Sequence, residues 1–279
     1  MKHIGSAYLR VGAFCFVCAA ASAFAQGNSA PAQTQNSLAN LPQFEVASVR
    51  PSGPNGRELN GFRIYPGGRV IAKGCRLQYL IMLALNVEHF QIEGLPDWAN
   101  FVKGDGFDIE AVPPENSQSA EAQPAFSIDP PGDEERQMLL ALLFDRFHLQ
   151  FHRETREGQI YLLERGKGKL NLQPPSDKTK YPWVHGISGG WFRDGIRGEN
   201  TSMPQLAQRL TWRIERPVID QTRLTGSFDF EYRNNDDNND ADITGFLITA
   251  MKAIGLELKS SKGPIETIVI DHIERPSPN

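Results

Sequence analysis

Phe107-Asp-Ile-Glu-Ala-Val112 and Phe228-Asp-Phe-Glu-Tyr232 decide the fold. Each alternates apolar and polar residues over the length of one strand, and each therefore predicts a half-buried β-strand. After each comes an apolar helical stripe: Met138, Leu139, Leu142, Leu143 and Phe147 after the first, and Ile243, Phe246, Leu247, Ala250 and Ile254 after the second. Asp133 suits the N-cap of the first helix, with acidic residues in its opening turn. Gly255 stops the second.

Upstream, the same order repeats. Phe44 to Arg50 alternates as a strand, and Phe62–Tyr65 and Arg69–Lys73 flank Pro66-Gly67-Gly68 as a hairpin. Leu77, Leu80, Ile81, Ala84 and Leu85 then recur at helical spacing. In the second half, Gly189–Arg193 and Gly195–Glu199 form the corresponding hairpin. Ser202-Met-Pro-Gln205 follows as a capping box, opening a helix with Leu206 and Leu210. Short extended runs follow both helices, at Phe90–Glu93 and at Pro217–Ile219. Past Phe147, two strands are expected, 148–154 and 159–165, turning at Glu157-Gly158. Leu256–Lys259 and Ile265–Asp271 close the chain as their counterparts. The expected fold is α+β: two similar halves from an internal duplication, each a mainly antiparallel sheet packed by two helices. The halves span 41–165 and 186–279, joined by a Gly-, Lys- and Pro-rich linker at 166–185. The two helix stripes are expected to pack against each other, which makes one cooperative unit.

The N-terminus has the three parts of a secretory signal peptide at 1–25. Lys2 and Arg10 are basic, the run from Val11 to Ala21 is apolar, and Ala23-Phe24-Ala25 places cleavage between Ala25 and Gln26. The apolar run is shorter than the ~20 residues of a membrane span. Residues 26–40 are polar and read as a disordered tether. The expected location is the periplasm or the cell exterior. The chain carries 29 Lys and Arg against 33 Asp and Glu, and the leader holds no acid, so the mature chain is acidic with mixed charges. That argues against nucleic acid as a partner. Cys15 and Cys18 fall in the leader, which leaves Cys75 unable to form an internal disulfide; it reads as a small buried hydrophobe.

Candidate chemistry is sparse. His148, His152 and Glu154 share one face of a predicted strand. Imidazole and carboxylate suit zinc, but a catalytic site would need a third strong ligand and partners that orient the ligands, and there is no His-Glu-x-x-His and no Cys pair, so no metal site is assigned. Asp108 and Glu110, with Asp229 and Glu231, could pair as acid and base. Their alternation with Phe107, Ile109, Phe228 and Phe230 reads better as the solvent face of strands. No Gly-x-Ser-x-Gly, Ser-x-x-Lys or phosphate-loop pattern occurs, so no catalytic residue or cofactor is assigned. Among Trp98, Trp183, Trp191 and Trp212, the first and third lie near loops, where aromatics can line a groove. The interaction candidates are His152, Glu154, Trp98 and Trp191. The polar run Asn234–Asp240 lacks the Gly and Glu of a calcium loop.

Leu247-Ile-Thr-Ala-Met-Lys-Ala-Ile-Gly-Leu256, followed by Glu266–Ile270, resembles the small modules at the N-termini of secretins and TonB-dependent receptors. A more specific resemblance covers nearly the whole mature chain. Phe44-Glu-Val-Ala-Ser-Val-Arg-Pro51, Gly94-Leu-Pro-Asp-Trp98, Leu142-Leu-Phe-Asp-Arg-Phe147 and His152-Arg-Glu-Thr-Arg156 carry it. So do Pro217-Val-Ile-Asp220, Gly226-Ser-Phe-Asp-Phe230 and Arg275-Pro-Ser-Pro-Asn279. Together they resemble a secreted, soil-associated bacterial family of unknown function. Related domains are expected at the C-terminus of membrane metallopeptidases of the β-lactam-sensing type. The resemblance implies an extracytoplasmic module and transfers no catalytic residue. The expected function is an exported, non-enzymatic binding module for an unknown envelope protein or small ligand, in envelope sensing or assembly. The alternative is a secreted hydrolase centred on His152 and Glu154.

Overall fold

The computed structural model describes residues 41–53, 61–115, 117, 131–187, 194–234 and 242–276. The segments expected as signal peptide and tether, Trp191, the strand expected at 189–193 and most of the Asn234–Asp240 run lie outside them. The described residues form β1 (Val46–Pro51), β2 (Gly61–Ile64), β3 (Val70–Arg76), α1 (Leu77–Leu85), β4 (Ile92–Glu93), β5 (Gly106–Val112), α2 (Asp133–Phe147) and β6 (Gln150–Arg165). They continue with β7 (Trp183–Gly186), β8 (Gly195–Ser202), α3 (Met203–Ile214), β9 (Val218–Asp220), β10 (Ser227–Arg233), α4 (Ile243–Ala253) and β11 (Leu256–His272). The class is therefore α+β. From β2 to β6 and from β7 to β11 the elements run in one order, β-β-α-β-β-α-β.

The local signals act where the sequence places them. β3 and β8 each run straight into a helix. At the second junction Ser202 is the N-cap: its hydroxyl accepts the Gln205 N–H, and the Gln205 side chain accepts the Ser202 N–H at 2.9 Å. α1 ends at Asn86 in the left-handed region (φ 52°), a conformation Asn tolerates better than most residues. α2 carries Asp133, Glu134 and Glu135 in its first turn and Arg146 in its last, both favourable to the helix dipole. Its N-cap is Gly132 rather than Asp133, which is already helical. Of the extended run expected at 90–93, only Ile92–Glu93 is strand; His89–Gln91 is a 3-10 turn.

Three sheets result, ordered β1-β5-β3-β2, β10-β8-β7 and β4-β11-β6-β9. The partner of β8 is β7, at 183–186, so the second hairpin takes residues from the segment expected as linker. That segment is also tied down before β7. Gln173 bridges Asp229, and the Asn171 N–H donates to Ile254 O at 2.9 Å.

The expected turn at Glu157-Gly158 does not form. β6 is one strand of 16 residues, paired antiparallel along its whole length with β11. Gly158 faces Gly263 at the middle of this ribbon. Glycine is a turn signal only in the absence of a partner strand, and β11 supplies one. A Cβ on Gly158 would lie 2.5 Å from Ile265 Cδ1, and one on Gly263 would lie 2.7 Å from Ile160 Cδ1. The two isoleucines thus pack diagonally into the space the glycines leave.

The ribbon joins two separate cores. The first gathers α1, α2 and the inner face of the β1-β5-β3-β2 sheet, with Phe107, Phe147, Phe151, Ile268 and Ile270. The second gathers α3, α4, Val184, Ile196 and Phe230, with Tyr161, Leu163, Leu256 and Leu258. The stripe of Leu139, Leu142 and Leu143 and the stripe of Phe246, Leu247 and Ile254 lie in different cores, not against each other as expected. The halves are joined by exchange instead. β6 begins in the first core and ends in the second, and β11 does the reverse. Each exchanged end gains a short parallel neighbour: Ile268 of β11 pairs with Ile92 of β4, and Tyr161 of β6 pairs with Val218 of β9.

Candidate functional site

The outer face of the ribbon at the first-core end carries a line of charge. Alternation along β6 puts His152, Glu154 and Arg156 on one side of the strand and Phe151 on the core side. His152 Nδ1 lies 2.9 and 3.1 Å from the two carboxylate oxygens of Asp271 on β11, and Nε2 lies 3.2 Å from Glu154 Oε1. Arg156 donates to Glu154 (2.6 and 2.9 Å) and to both oxygens of Glu93 on β4 (2.9 Å each). Hydrogen bonds to Asp271 first and to Glu154 second raise the pKa of His152. Arg156, then His152, hold the Glu154 carboxyl below its usual range. Both carboxylates favour the imidazolium form, in which the His152 ring donates from both nitrogens. In that state it has no lone pair to accept a proton or bind a metal. His148, grouped with it in the sequence, is instead the left-handed C-cap of α2 (φ 50°), 3.5 Å from Glu274. Among the described residues no group of three or more His, Cys, Asp or Glu is placed to hold a metal ion.

Trp98 is not open in the way a groove aromatic needs to be. Its ring meets Phe107 edge to face, and Arg275 from the C-terminal segment stacks 4.9 Å from its centroid. Arg275 Nε also donates to Asp105 at 2.9 Å. The turn before Trp98 depends on Gly94, which has φ 81° and passes so near β11 that a Cβ would lie 2.8 Å from Ile270 O.

The repeated Phe-Asp-x-Glu has a role that sequence reasoning missed. β3 bulges opposite Asp108, where the pairing jumps from Ala72–Ile109 to Cys75–Phe107. The bulge residue Gly74 has φ 59° and donates its N–H to Asp108 at 2.9 Å; Ser52 Oγ adds a second bond at 2.7 Å. β8 bulges opposite Asp229 in the same way. There Asn200 has φ 46° and donates its N–H at 2.8 Å, and the Ser176 N–H donates at 2.7 Å. Burial pushes both carboxyls up, but these hydrogen bonds outweigh it and hold both below the usual range. The aspartates are acceptors for bulge N–H groups rather than acid–base pairs. The glutamates take cations from the adjacent strand, Glu110 from Lys73 (3.4 Å) and Glu231 from Arg197 (2.8 Å). Aspartate opposite a positive-φ residue on a neighbouring strand was the available signal.

A second charged cluster lies where the first half meets α3. Arg209 and Arg213, four residues apart, lie 4.7 and 4.4 Å from the centroid of Trp212. Burial, reinforced by Arg213, pushes Arg209 down to about 10. Glu88 accepts the Gln91 N–H at the start of the 3-10 turn, and burial raises its carboxyl to about 7 against the pull of Arg209. His89 Nε2 lies 3.4 Å from Glu215 Oε1. Arg-x-x-Trp-Arg on one helix face was legible as a stacking pattern, but its partner Glu88 is remote in sequence.

An α+β chain of two cores joined by a shared ribbon is the class these observations define. The family model described as "Protein of unknown function (DUF3738)" matches residues 78–273, and the chain belongs to that family. No family evidence supports the secretin and TonB likeness. No curated protein and no solved structure matches the chain. No helix among the described residues is long and apolar enough to cross a membrane.

Proposed function

We propose that the chain is an exported binding module of the bacterial envelope or its exterior, built by duplication of one half. The duplication reading rests on the common element order and on the matched bulges of Gly74–Asp108 and Asn200–Asp229. The export reading rests on the pattern of residues 1–25. The observation that carries binding over hydrolysis is His152. Its partner Asp271 sits where the orienting acid of a catalytic histidine would, but Nε2, the nitrogen a base needs, is given to Glu154.

The test has two arms. Mass spectrometry of the exported protein is expected to find Gln26 as its first residue. A chain retained in the cytoplasm with its leader intact would overturn export. Purified mature chain is expected to leave a panel of cell-wall, glycan and ester substrates unchanged. Turnover that disappears in both His152→Ala and Glu154→Ala would establish the hydrolase reading in its place.

A further inference from the structure

The two ends of the β6–β11 ribbon carry matching cross-strand ion pairs, and only one of them is built on a histidine. At the second-core end Lys259 Nζ lies 2.6 Å from Glu164 Oε2. At the first-core end the pair is His152 with Asp271. Among the described residues beyond Asp271, His272 pairs with Gln150, Ile273 packs against the first core, and Glu274 lies 2.7 Å from His272. The Glu274 N–H donates to Phe147 O at 2.8 Å, and Arg275 rests on Trp98 and Asp105.

We propose that His152 is a pH-operated latch on the C-terminal end of β11: protonated, it clamps that end to β6, and deprotonated, it lets the end fray and loosens Arg275 from Trp98. The reason is the count of donors. A neutral imidazole has one N–H, so it serves Asp271 or Glu154 and turns a lone pair toward the other carboxylate. The charged groups around the ring are Glu154 and Arg156 on its own strand, Asp271 on β11 and Glu93 on β4. Arg153 and Glu266 pair with each other on the opposite face of the ribbon, and His148, His272 and Glu274 stand at its end. The folded-state pKa of His152 is raised, so the clamp is complete below the ordinary histidine pKa and is lost as pH rises through the folded value. Lys259 is also raised by its carboxylate partner, from a far higher starting point, and stays charged throughout that range.

Amide hydrogen exchange on the full mature chain, corrected for intrinsic rates, measures the two ends in one experiment. Between about pH 6 and pH 9, protection at 269–272 is expected to fall roughly two- to five-fold relative to 258–261, the scale of an exposed ion pair. The Trp98 indole N–H resonance is expected to shift with the same midpoint as the His152 ring. H152K, charged at every pH used, is expected to keep protection and lose the pH dependence; H152Q is expected to show low protection throughout. Parallel loss at both ends, a Trp98 resonance that ignores the His152 midpoint, or unchanged pH dependence in H152K would overturn the latch.

Discussion

Asp108 and Asp229 perform one task with different neighbours. In the first half the bulge residue is Gly74, which reaches positive φ at no steric cost. In the second it is Asn200, among the few other residues that tolerate that region. The second bond to each aspartate comes from a serine before the hairpin, from the hydroxyl of Ser52 in one half and the backbone N–H of Ser176 in the other. What is common is the backbone geometry, the acceptor and a serine as second donor; what differs is the bulge residue, Gly74 in one half and Asn200 in the other. A pattern search aligned on bulge residues would miss the match, and one aligned on Phe-Asp-x-Glu finds it.

The largest effects are expected where the halves exchange strands. Leu163 lies on β6 but is fully buried in the second core, and Ile268 lies on β11 but is fully buried in the first. Leu163→Ala and Ile268→Ala are each expected to cost about 2–5 kcal/mol, the range for emptying a buried aliphatic site. Because each strand belongs to both cores, each variant is expected to lower one common melting transition, followed by resolved NMR signals from Val49 and Leu210. Two transitions that move separately would break the picture of a fold joined by exchange. The same logic holds for residues 186–279 expressed alone. They lack Tyr161 and Leu163 and the β6 partner of β9, so no sharp melt is expected.

How far the sequence could be read follows from the range of the interactions involved. The strands at 107–112 and 228–232, the first hairpin and the capping box at Ser202 depend on neighbours within a few residues, and they form where periodicity and turn chemistry place them. The α+β class follows from these. The ribbon was not legible, because the straightness of β6 depends on a partner about a hundred residues away, and Gly158 is a turn signal only without it. The second hairpin was misplaced because β7 hides in a stretch of Pro, Lys and Ser that reads as linker. Of the candidate site, the shared face of His152 and Glu154 was visible from even spacing. Asp271, which engages the other ring nitrogen, comes from the partner strand, 119 residues further along the chain.

Intermediate effects are expected at the bulges. Asp229→Ala leaves the Asn200 and Ser176 N–H groups without this acceptor, and Asp108→Ala does the same to Gly74 and Ser52. Each is expected to cost about 1–3 kcal/mol in urea unfolding, with the lower end applying where water replaces the carboxylate. Both carboxyls are held below their unfolded-state values, so the stability they confer is present above the ordinary aspartate pKa. It is lost as pH falls through the folded values. The Asp→Asn variants keep an acceptor oxygen but cannot titrate, so each is expected to flatten the acid limb of the stability curve. A variant at one site that left its limb as steep as in the parent chain would show that the two bulges are not electrostatic equivalents.

The smallest effect concerns the residues that follow the bulges, Cys75 and Thr201, which pair with Phe107 and Phe228 in turn. Both are fully buried. Thr201 keeps its hydroxyl inside by bonding Trp183 O and Glu199 O at 3.0 Å each. Cys75 solves the same problem by having little polarity to satisfy, and burial pushes its thiol up to about 12. Thiolate, the reactive form, is therefore scarce at neutral pH, and a reagent must wait for the chain to open. Labelling of Cys75 by a small maleimide is expected to proceed no faster than opening of the first core, with no change in stability until it occurs. In Ile268→Ala, which weakens that core, the labelling rate is expected to rise about tenfold for each ~1.4 kcal/mol of stability lost; in Leu163→Ala it follows the same relation only if the two cores open together. Rapid labelling of the intact parent chain would show that the wall over Cys75 is looser than the one over Thr201, and the equivalence of the two positions would end at the backbone.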